Sequence, residues 1–595
     1  MSESLSGTTA ELVARAAAPL SGRPPETAAP SRGGIAVISD FNSGNLARLL
    51  DEDPSPPALR TESASFGEVF PPLLDPRHAC WKDGTDAAVV WTRPEGVIPA
   101  FREALELQRP DCDRIAAEVD AFADAVIQLA GRTRCVILPT WTVPAHERGW
   151  GMQDMRSSIG VANLLARMNL QVADRLEGAR RSVFQLNAQP WLERAGRRAF
   201  DSKLWYIAKV PFANAVFQEA VKDIKSALLG LEGGARKLVI VDLDDTLWGG
   251  IVGDVGWEGL QLGGHSPLGE AFADFQRGLK ALLRRGILLA IVSKNEEAAV
   301  LEAFKKHPEM QLALDDFSAR RINWNDKAAN IVEVVEELNL GLQSVVFIDD
   351  NPLERGRVRE MLPEVLVPEW PAQKMLYRQA LAELRCFDAP SVSSEDLDRT
   401  RMYAAERRRE ALKERLSSPD DWLRTLELRV RVEPLRDANL PRAAQLFNKT
   451  NQMNLSTRRM SEGELARWAS GEGRRLWTFR VADRFGDSGL TGIVSLEARG
   501  DRGVIVDLVL SCRVFGRRIE DAMLHVALRH ARRLGLGRVE AVYVPTAKNK
   551  PCLDFLRGRS GPQEIDQEVE AGPRFVWDLS REHRLPDGLQ LEEEG

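Results

Sequence analysis

Two aspartates that stand two positions apart, Asp242 and Asp244, follow a short apolar run at residues 238–241. The run, Leu-Val-Ile-Val, has the composition of a buried strand in a parallel sheet. Open α/β sheets bind their ligands at the carboxyl ends of their strands, where these carboxylates would lie. There the pair could hold a cation, or could divide the work of a nucleophile and an acid. Aspartate also suits ordinary turns, but the strand, the paired carboxylates, Thr246 and a Gly-rich exit together favour a functional site.

Two further apolar runs between residues 236 and 381 also end in polar residues. These runs, 287–292 and 344–348, alternate with helical patterns at 270–285, 296–306 and 328–338, which is typical of a parallel α/β sheet. Three strands that each deliver polar groups to the same sheet edge predict an active site there. The polar residues beyond the first strand are Ser293, Lys294, Asn295, Lys327, Asp349 and Asp350.

Taken in order, these residues resemble the four motifs of the haloacid dehalogenase superfamily. The D-x-D-x-T motif is Asp242, Asp244 and Thr246, the second-motif hydroxyl is Ser293, the third-motif lysine is Lys327, and the acidic pair is Asp349-Asp350. The resemblance implies a Rossmann-like core in which Asp242 becomes a phospho-aspartate and Asp244 serves as general acid and then base. It also implies Mg²⁺ on Asp242, the Asp244 carbonyl and Asp350, with Asp349 orienting this metal set. The residues expected to hold substrate phosphate are Thr246, Ser293, Lys294, Asn295 and Lys327.

Two of the motifs follow a more restricted sequence pattern than the superfamily as a whole, and this pattern resembles that of its FkbH-like subfamily. The stretches are D-x-D-D-T-L-W-G-G-x-x-G-D at residues 242–254 and I-D-D-N-P-x-E-R ending at Arg355. The resemblance implies a bifunctional glyceryltransferase/phosphatase that takes a glyceryl group from 1,3-bisphosphoglycerate and loads it on the phosphopantetheine arm of an acyl carrier protein for polyketide biosynthesis. Members that load another C3 acid such as lactate, and a plain Mg²⁺-dependent phosphatase, are the alternatives. Trp248 either pins a tight turn or shapes the substrate pocket.

The C-terminal residues 428–580 alternate or run apolar as strands do, and one strand leads into the segment 511–518, Ser-Cys-Arg-Val-Phe-Gly-Arg-Arg. This strand, loop and helix resemble the GNAT acyltransferase fold, an α+β fold whose loop holds a pantetheine-bearing pyrophosphate at a helix N-terminus. Arg518 stands where the family has a small residue, so a pantetheine arm on a carrier protein is expected in place of acetyl-CoA. The resemblance implies pantetheine contacts from Arg513, Gly516 and Arg517.

Cys512 is the candidate acyl-accepting residue of this segment. It follows a strand, precedes a helix and stands among arginines, a setting that favours the thiolate, and the FkbH-like pattern S-C-R-x-x-G-R also contains it. An inert cysteine at a strand end is the alternative interpretation.

The N-terminal residues 34–230 predict a three-layer αβα domain, because short apolar runs alternate with helical patterns. Polar residues after its strands resemble those of SGNH-type hydrolases. However, the first block has no Gly-Asp-Ser, and the one Asp-x-x-His pair, Asp75 with His78, comes early in the domain. A docking or scaffold domain is therefore favoured, with hydrolysis as the alternative.

Length and composition limit the number of domains, the kinds of partner and the compartment that are expected. A chain of 595 residues is too long for one core and predicts roughly two to four domains. A net charge of −7 argues against nucleic-acid binding, and no apolar run approaches a membrane span. Six cysteines without C-x-x-C spacing fit the reducing cytoplasm. Residues 1–33 are predicted to be a disordered leader, 382–426 a helical connector with a solvated arginine face, and 581–595 an acidic tail.

Overall fold

The computed structural model describes the chain from residue 33 onward with several gaps. Contact clustering divides it into two compact units, residues 1–314 with 319–393 and residues 315–318 with 394–595, and each is described by itself. Residues 1–32 of the predicted leader and residues 391–408, 410–411 and 413–417 of the predicted connector lie outside the described residues, and of Cys512 only the backbone is described. The described residues are 33–179, 182–338, 340–390, 409, 412, 418–450, 452–460, 462–546, 549–558, 562–565, 572–581 and 583–594.

The N-terminal part of the first unit is a five-stranded parallel sheet with helices on both faces. Along β1, Ile35 and Val37 enter one apolar core while Ala36 and Ile38 enter another, as the two-residue period of a strand requires. The sheet order is β2-β1-β3-β4-β5. The strands are β1 (Gly33–Ile38), β2 (Leu59–Ser63), β3 (Thr85–Val90), β4 (Cys135–Pro139) and β5 (Val183–Leu186).

The helices of this domain run between and after those strands. The long helix α5 is capped by Asp111, whose side chain accepts a hydrogen bond from the Arg114 amide at 3.0 Å. The helices are α1 (Gly44–Glu52), α2 (Phe70–Leu74), α3 (Pro94–Val97), α4 (Pro99–Leu105), α5 (Cys112–Ala130), α6 (Val161–Leu176), α7 (Gln189–Ala195), α8 (Ser202–Ala208) and α9 (Asn214–Leu231).

The carboxyl edge of this sheet does not assemble a hydrolase dyad among the described residues. The Ser39 hydroxyl donates to the Phe41 carbonyl at 2.6 Å. His78 precedes β3, which places it toward the opposite edge, and there it contacts Glu68 and Cys80, each at 3.1 Å. His146 is exposed and lies 3.8 Å from Glu147. This arrangement favours the docking or scaffold interpretation of the domain.

The core predicted at residues 236–381 contains a second sheet, of order β8-β7-β6-β9. The central strand β6 pairs in parallel with β7 and with β9, so all three end at the same edge. The edge strand β8 is an addition to the predicted set, because its two arginines break the apolar pattern. Its strands and helices are β6 (Leu238–Val241), β7 (Leu288–Ser293), β8 (Phe317–Ile322), β9 (Val345–Ile348), α10 (Val252–Val255), α11 (Pro267–Arg284), α12 (Glu297–Lys306), α13 (Lys327–Glu337), α14 (Pro352–Met361) and α15 (Tyr377–Ala382).

Helix α9 joins the N-terminal sheet to this core. The guanidinium of Arg385, just after α15, donates to Glu219 at 2.5 Å and also to Asp223 on α9. The Ser226 hydroxyl donates to the Arg385 carbonyl at 2.5 Å. These contacts explain why both domains belong to one compact unit.

The second unit is a twisted, mostly antiparallel sheet with the order β16-β17-β15-β14-β13-β12-β10-β18 and β11 paired to β14. Only β14–β15 and β10–β18 pair in parallel, and α19 connects β14 to β15. Its elements are β10 (Leu428–Pro434), β11 (Met453–Asn454), β12 (Arg474–Asp483), β13 (Gly486–Arg499), β14 (Arg502–Leu510), β15 (Arg538–Val542), β16 (Gln563–Ile565), β17 (Arg574–Asp578), β18 (Leu589–Glu593), α16 (Pro419–Thr425), α17 (Leu440–Lys449), α18 (Glu462–Ala469), α19 (Ile519–Arg533) and α20 (Lys550–Gly558).

Two predictions for this unit differ from the structure. The predicted acidic tail contains strand β18, and its Glu593 and Glu594 pair with Arg529 and Arg431. Charge pairing of the acidic residues with arginines thus fixes the tail to the sheet. Arg409, predicted on a solvated face, is buried and donates to Asp483 at 2.6 and 2.8 Å. None of the described helices is long and apolar enough to cross a membrane.

Candidate active site

The carboxyl edge of the core sheet brings Asp242, Lys327 and Asp349 together. Lys327 is the first residue of α13, and its Nζ lies 3.1 Å from Asp242 Oδ1 and 2.6 Å from Asp349 Oδ2. The Asp242 amide donates to the Ile348 carbonyl at 3.0 Å, which fixes the end of β6 against β9. Although burial disfavours its charge, the two carboxylates raise the pKa of Lys327 above its usual value. Lys327 is therefore a cation held between two candidate reactive carboxylates.

Asp350 is positioned by Thr246, which stands 104 residues earlier in the chain. The Asp350 amide donates to Thr246 Oγ1 at 3.0 Å, and the Thr246 hydroxyl lies 3.3 Å from Asp350 Oδ1. Arg355 donates to the carbonyls of Asp349 and Asp350, each at 2.7 Å. Thr246, predicted to bind phosphate, is fully buried. In the structure it supports the acidic pair instead.

Asp244 has a set of hydrogen-bond donors of its own. Its Oδ1 accepts from Trp248 Nε1 at 2.8 Å and from the Val252 amide at 3.1 Å. Its Oδ2 accepts from Asn295 Nδ2 at 3.0 Å, and Asn295 also contacts Ser293 Oγ at 3.1 Å. Burial raises the pKa of Asp244, although these donors lower it. A raised pKa keeps a proton on the carboxyl closer to neutral pH, as a general acid requires.

Three carboxylates in this cluster fit a divalent cation. Oxygen atoms of Asp242, Asp349 and Asp350 all lie within 4.8 Å of one another. Burial and the charge of Asp242 raise the pKa of Asp349 to about 6, and burial likewise raises the pKa of Asp350. One lysine does not balance three carboxylates, of which Asp242 and Asp349 are buried and Asp350 is half-buried, so this arrangement favours binding of a hard cation such as Mg²⁺, which prefers carboxylate oxygens. The Asp244 carboxylate is hydrogen-bonded to Trp248, Val252 and Asn295, and the expected contribution of its carbonyl to the metal stays a prediction.

Adding Mg²⁺ is expected to raise the thermal midpoint of the protein. A ligand that binds only the folded state at a hundred times its dissociation constant stabilises by about 2.7 kcal/mol. Differential scanning fluorimetry with and without MgCl₂ measures the shift. Asp350→Asn should reduce it by at least about half, because one of the three carboxylates is neutralised. An equal shift in that variant would place the cation elsewhere.

The remaining predicted phosphate contacts occupy two settings. Ser293 is buried at the end of β7, and Asn295 reaches Asp244. Lys294 is partly exposed and its Nζ lies 2.6 Å from Glu354 Oε1. Of the predicted phosphate contacts, Lys327 therefore touches the acidic cluster directly, and Ser293 is linked to Asp244 through Asn295. Lys294 pairs with Glu354 instead.

Trp248 is a functional residue whose contact the sequence did not specify. The indole is fully buried, it packs on Phe304 with ring centroids 5.5 Å apart, and its N–H holds Asp244. Gly250, which follows it, has a φ of 98°, so the chain can turn back toward Asp244 at that point. The contacts of Trp248 fit the interpretation that it pins a turn, and they add a hydrogen bond to a candidate acid; a role in shaping the substrate pocket stays a prediction.

Replacing Trp248 by Phe should slow phosphatase turnover about tenfold, because a misplaced acid costs general acid catalysis. The kcat for p-nitrophenyl phosphate measures this, and KM should change much less. Phe304→Leu is the matched control, since it loosens the same ring packing but leaves the indole hydrogen bond. If Phe304→Leu lowers kcat as much, packing and not the hydrogen bond is responsible.

The predicted pantetheine loop follows β14 in the second unit. A single 3₁₀ turn begins at Cys512, and its side chain lies outside the described part of the structure. Arg513 is partly exposed and Gly516 is exposed, with a φ of 75° and its amide 3.0 Å from Glu520 Oε1. Arg517 points into the domain, where it lies 3.4 Å from Asp483 and donates to the Arg513 carbonyl at 2.6 Å. Buried in this way, Arg517 has a structural role and not the predicted pantetheine contact.

Comparison with known proteins gives matches among solved structures alone. A structure of the N-terminal part of the protein BF1531 from Bacteroides fragilis, containing a phosphatase domain complexed with Mg, is 29% identical with a TM-score of 0.55. The match covers 60% of this chain and 95% of that chain. No protein-family model matches the chain, and no curated protein does either. The chain is thus an α/β protein of several domains, similar over more than half its length to a structure with a Mg-bound phosphatase domain.

Two acetyltransferases match a shorter part of the chain. SpeG spermidine N-acetyltransferase from Vibrio cholerae is 18% identical with a TM-score of 0.21, covering 25% of this chain and 94% of its own. The PaiA N-acetyltransferase from Thermoplasma acidophilum, solved with coenzyme A, is 13% identical with a TM-score of 0.21, covering 25% of this chain and 98% of its own.

Proposed function

We propose that this protein is a Mg²⁺-dependent phosphatase of the haloacid dehalogenase type and that it couples this activity to transfer of a glyceryl group. The observation that carries the phosphatase half is the cluster of Asp242, Lys327, Asp349 and Asp350 at one sheet edge, with Asp244 held beside it. The Mg-bound phosphatase domain in the Bacteroides structure supports the same assignment.

Asp242 is the nucleophile in this proposal. Its carboxylate oxygen attacks phosphorus, the bond from phosphorus to the substrate oxygen breaks, and Asp244 gives its proton to that leaving oxygen. Water then attacks the phospho-aspartate and returns a proton to Asp244, while the Asp242 carboxylate leaves. Lys327, 3.1 Å from Asp242, holds positive charge where phosphate oxygens gather. Bound Mg²⁺ would supply further charge neutralisation for the transferred group.

The acyl-transfer half rests on the FkbH-like resemblance and on Cys512. An acyl phosphate is already activated, so a thiolate can attack its carbonyl carbon and release inorganic phosphate. The glyceryl group would then pass from Cys512 to the pantetheine thiol of an acyl carrier protein, which restores the cysteine. The second phosphate of 1,3-bisphosphoglycerate is an ordinary ester, and its removal needs the Asp242 site. The chain would thus use one site for the acyl phosphate bond and another for the phosphate ester bond.

The test is to incubate the full chain with 1,3-bisphosphoglycerate, MgCl₂ and a holo acyl carrier protein, and then to weigh the carrier. A gain equal to one glyceryl group supports the proposal. A gain equal to a lactyl group, in a parallel reaction with the corresponding three-carbon acyl phosphate, would instead show a different acyl specificity. Phosphate release with no change in the carrier's mass would leave a plain phosphatase, the second class of function open to this site.

A further inference from the structure

The carboxyl edge of the N-terminal sheet is covered by α8, and that helix presents apolar side chains outward. Leu204, Tyr206 and Ile207 are exposed to 38%, 76% and 71%. Three large apolar residues exposed on seven helical positions are unusual for a surface that contacts only water. Helix α8 therefore lies over the edge at which a hydrolase site was considered, and its outward side chains are apolar and exposed in the described part of the chain.

Four exposed cations flank these three residues in the sequence. Arg197, Arg198, Lys203 and Lys209 are exposed. Between residues 193 and 209 the sequence has five cations and two carboxylates, although the whole chain has a net charge of −7. One of those carboxylates, Asp201, caps α8 by accepting from the Leu204 amide at 3.0 Å. The three apolar residues and these four cations are called the α8 patch here.

The α8 patch has a rigid base. Arg93, which follows β3, lies with its guanidinium carbon 3.8 Å from the centroid of the Trp205 ring, and it pairs with Asp40 at 2.9 Å. Asn42, which follows β1, donates its amide to the Lys209 carbonyl at 2.9 Å. The middle and the C-terminal end of the helix are thus held at the sheet edge. A preorganised apolar surface loses little entropy when a partner binds.

We propose that the α8 patch is the docking surface for an acidic protein partner, the acyl carrier protein of the proposed function. Exposed tyrosine and isoleucine surrounded by cations complement a protein surface that carries carboxylates around apolar residues. Tyrosine is also among the residues that contribute most to such interfaces. The proposal rests on the proposed acyl transfer for the identity of the partner, and on the exposure, charge and anchoring of α8 for the surface itself.

The test measures binding of a fluorescently labelled holo acyl carrier protein to the full chain by anisotropy. Ile207→Asp combined with Lys203→Glu should raise the dissociation constant at least about tenfold, a loss of about 1.4 kcal/mol. Leu170→Asp combined with Arg167→Glu is the matched control, because it makes the same two kinds of change on exposed positions of α6 in the same domain. The control should bind within about twofold of the unchanged protein, and binding to the unchanged protein should weaken as salt is raised.

The outcomes separate the docking surface from the acyl transfer. Equal binding of the carrier by both double variants, or no binding by the unchanged protein, would overturn the proposal that the α8 patch is the docking surface. The proposal would also be overturned if the Ile207→Asp, Lys203→Glu variant kept its affinity for the carrier but lost binding to anionic lipid vesicles. That result would assign the α8 patch to a membrane. A carrier that binds through α8 but gains no mass would instead contradict the acyl transfer and leave the surface standing. Hydrolysis of p-nitrophenyl phosphate should be unchanged in both double variants, which shows that they are folded.

Discussion

Replacing Asp242 by Asn is expected to reduce phosphate release to the background rate, a fall of at least about a thousandfold. The amide keeps the shape of the side chain and can remain beside Lys327, but it has no charged oxygen to attack phosphorus. The change also removes one of the three carboxylates that fit a cation. Initial rates of phosphate release from p-nitrophenyl phosphate, at saturating MgCl₂, measure the effect.

The matched control for this prediction is Asp245→Asn, three residues along the same turn. Asp245 accepts from the Gly250 amide at 3.1 Å and pairs with Lys374, and it is not one of the three carboxylates that fit a cation. Its φ is 56°, a conformation that Asn adopts more readily than most residues, so the turn should survive. The Asp245 variant should keep its rate within about fivefold. Equal losses in both variants would mean that the turn, and not the nucleophile, limits the reaction.

The position of the active-site edge could be predicted because it depends on local patterns. Apolar runs of four to six residues mark β6, β7 and β9, and parallel strands bring their carboxyl ends to one edge. Asp242, Ser293 and Asp349 follow from that rule alone. Lys327 could be placed as the first residue of a helix, but its bonds to Asp242 and Asp349 could not, since they depend on how α13 packs against the sheet.

Contacts between residues far apart in the sequence were the ones missed. Thr246 reads as a phosphate ligand from its motif, yet its hydroxyl is used by Asp350, 104 positions away. Arg409 and Arg517 read as exposed or ligand-binding cations, yet both reach the buried Asp483. A charged residue reveals in sequence that it needs a partner, but not whether the partner is solvent, ligand or another side chain. Strand β18 in the tail was not predicted for the same reason. Its glutamates do not indicate a strand, and its pairing with β10 is a contact between distant parts of the sequence.

The two chemistries of the proposal differ in the group that each must activate. A phosphate ester needs charge neutralisation and a positioned acid, and the Asp242 edge supplies both through Lys327, the clustered carboxylates and Asp244. A thioester exchange needs a thiol nucleophile, and residues 236–381 contain no cysteine. The proposed route through Cys512 therefore uses a residue outside this core, which makes the two activities separable by single substitutions.

Replacing Cys512 by Ala is expected to abolish acyl transfer to the carrier protein, by at least about a thousandfold, while leaving p-nitrophenyl phosphate hydrolysis unchanged. Intact-mass spectrometry after incubation with 1,3-bisphosphoglycerate should show an acyl adduct on the unchanged protein and none on this variant. The Asp242→Asn protein should still form the adduct, now with its phosphate retained, because the thiol and the phosphatase edge act on different bonds.

Two other cysteines give the comparison that Cys512→Ala requires. Burial raises the pKa of Cys552, in the same unit, to about 12, so its thiol should not compete as a nucleophile. Cys112 is partly exposed at the start of α5, and Cys112→Ala is therefore the matched control for loss of an accessible thiol. That variant should keep the full adduct and the full transfer rate. An adduct of equal size in Cys512→Ala would exclude Cys512 as the acylated residue and would place the acyl group on another side chain of the protein.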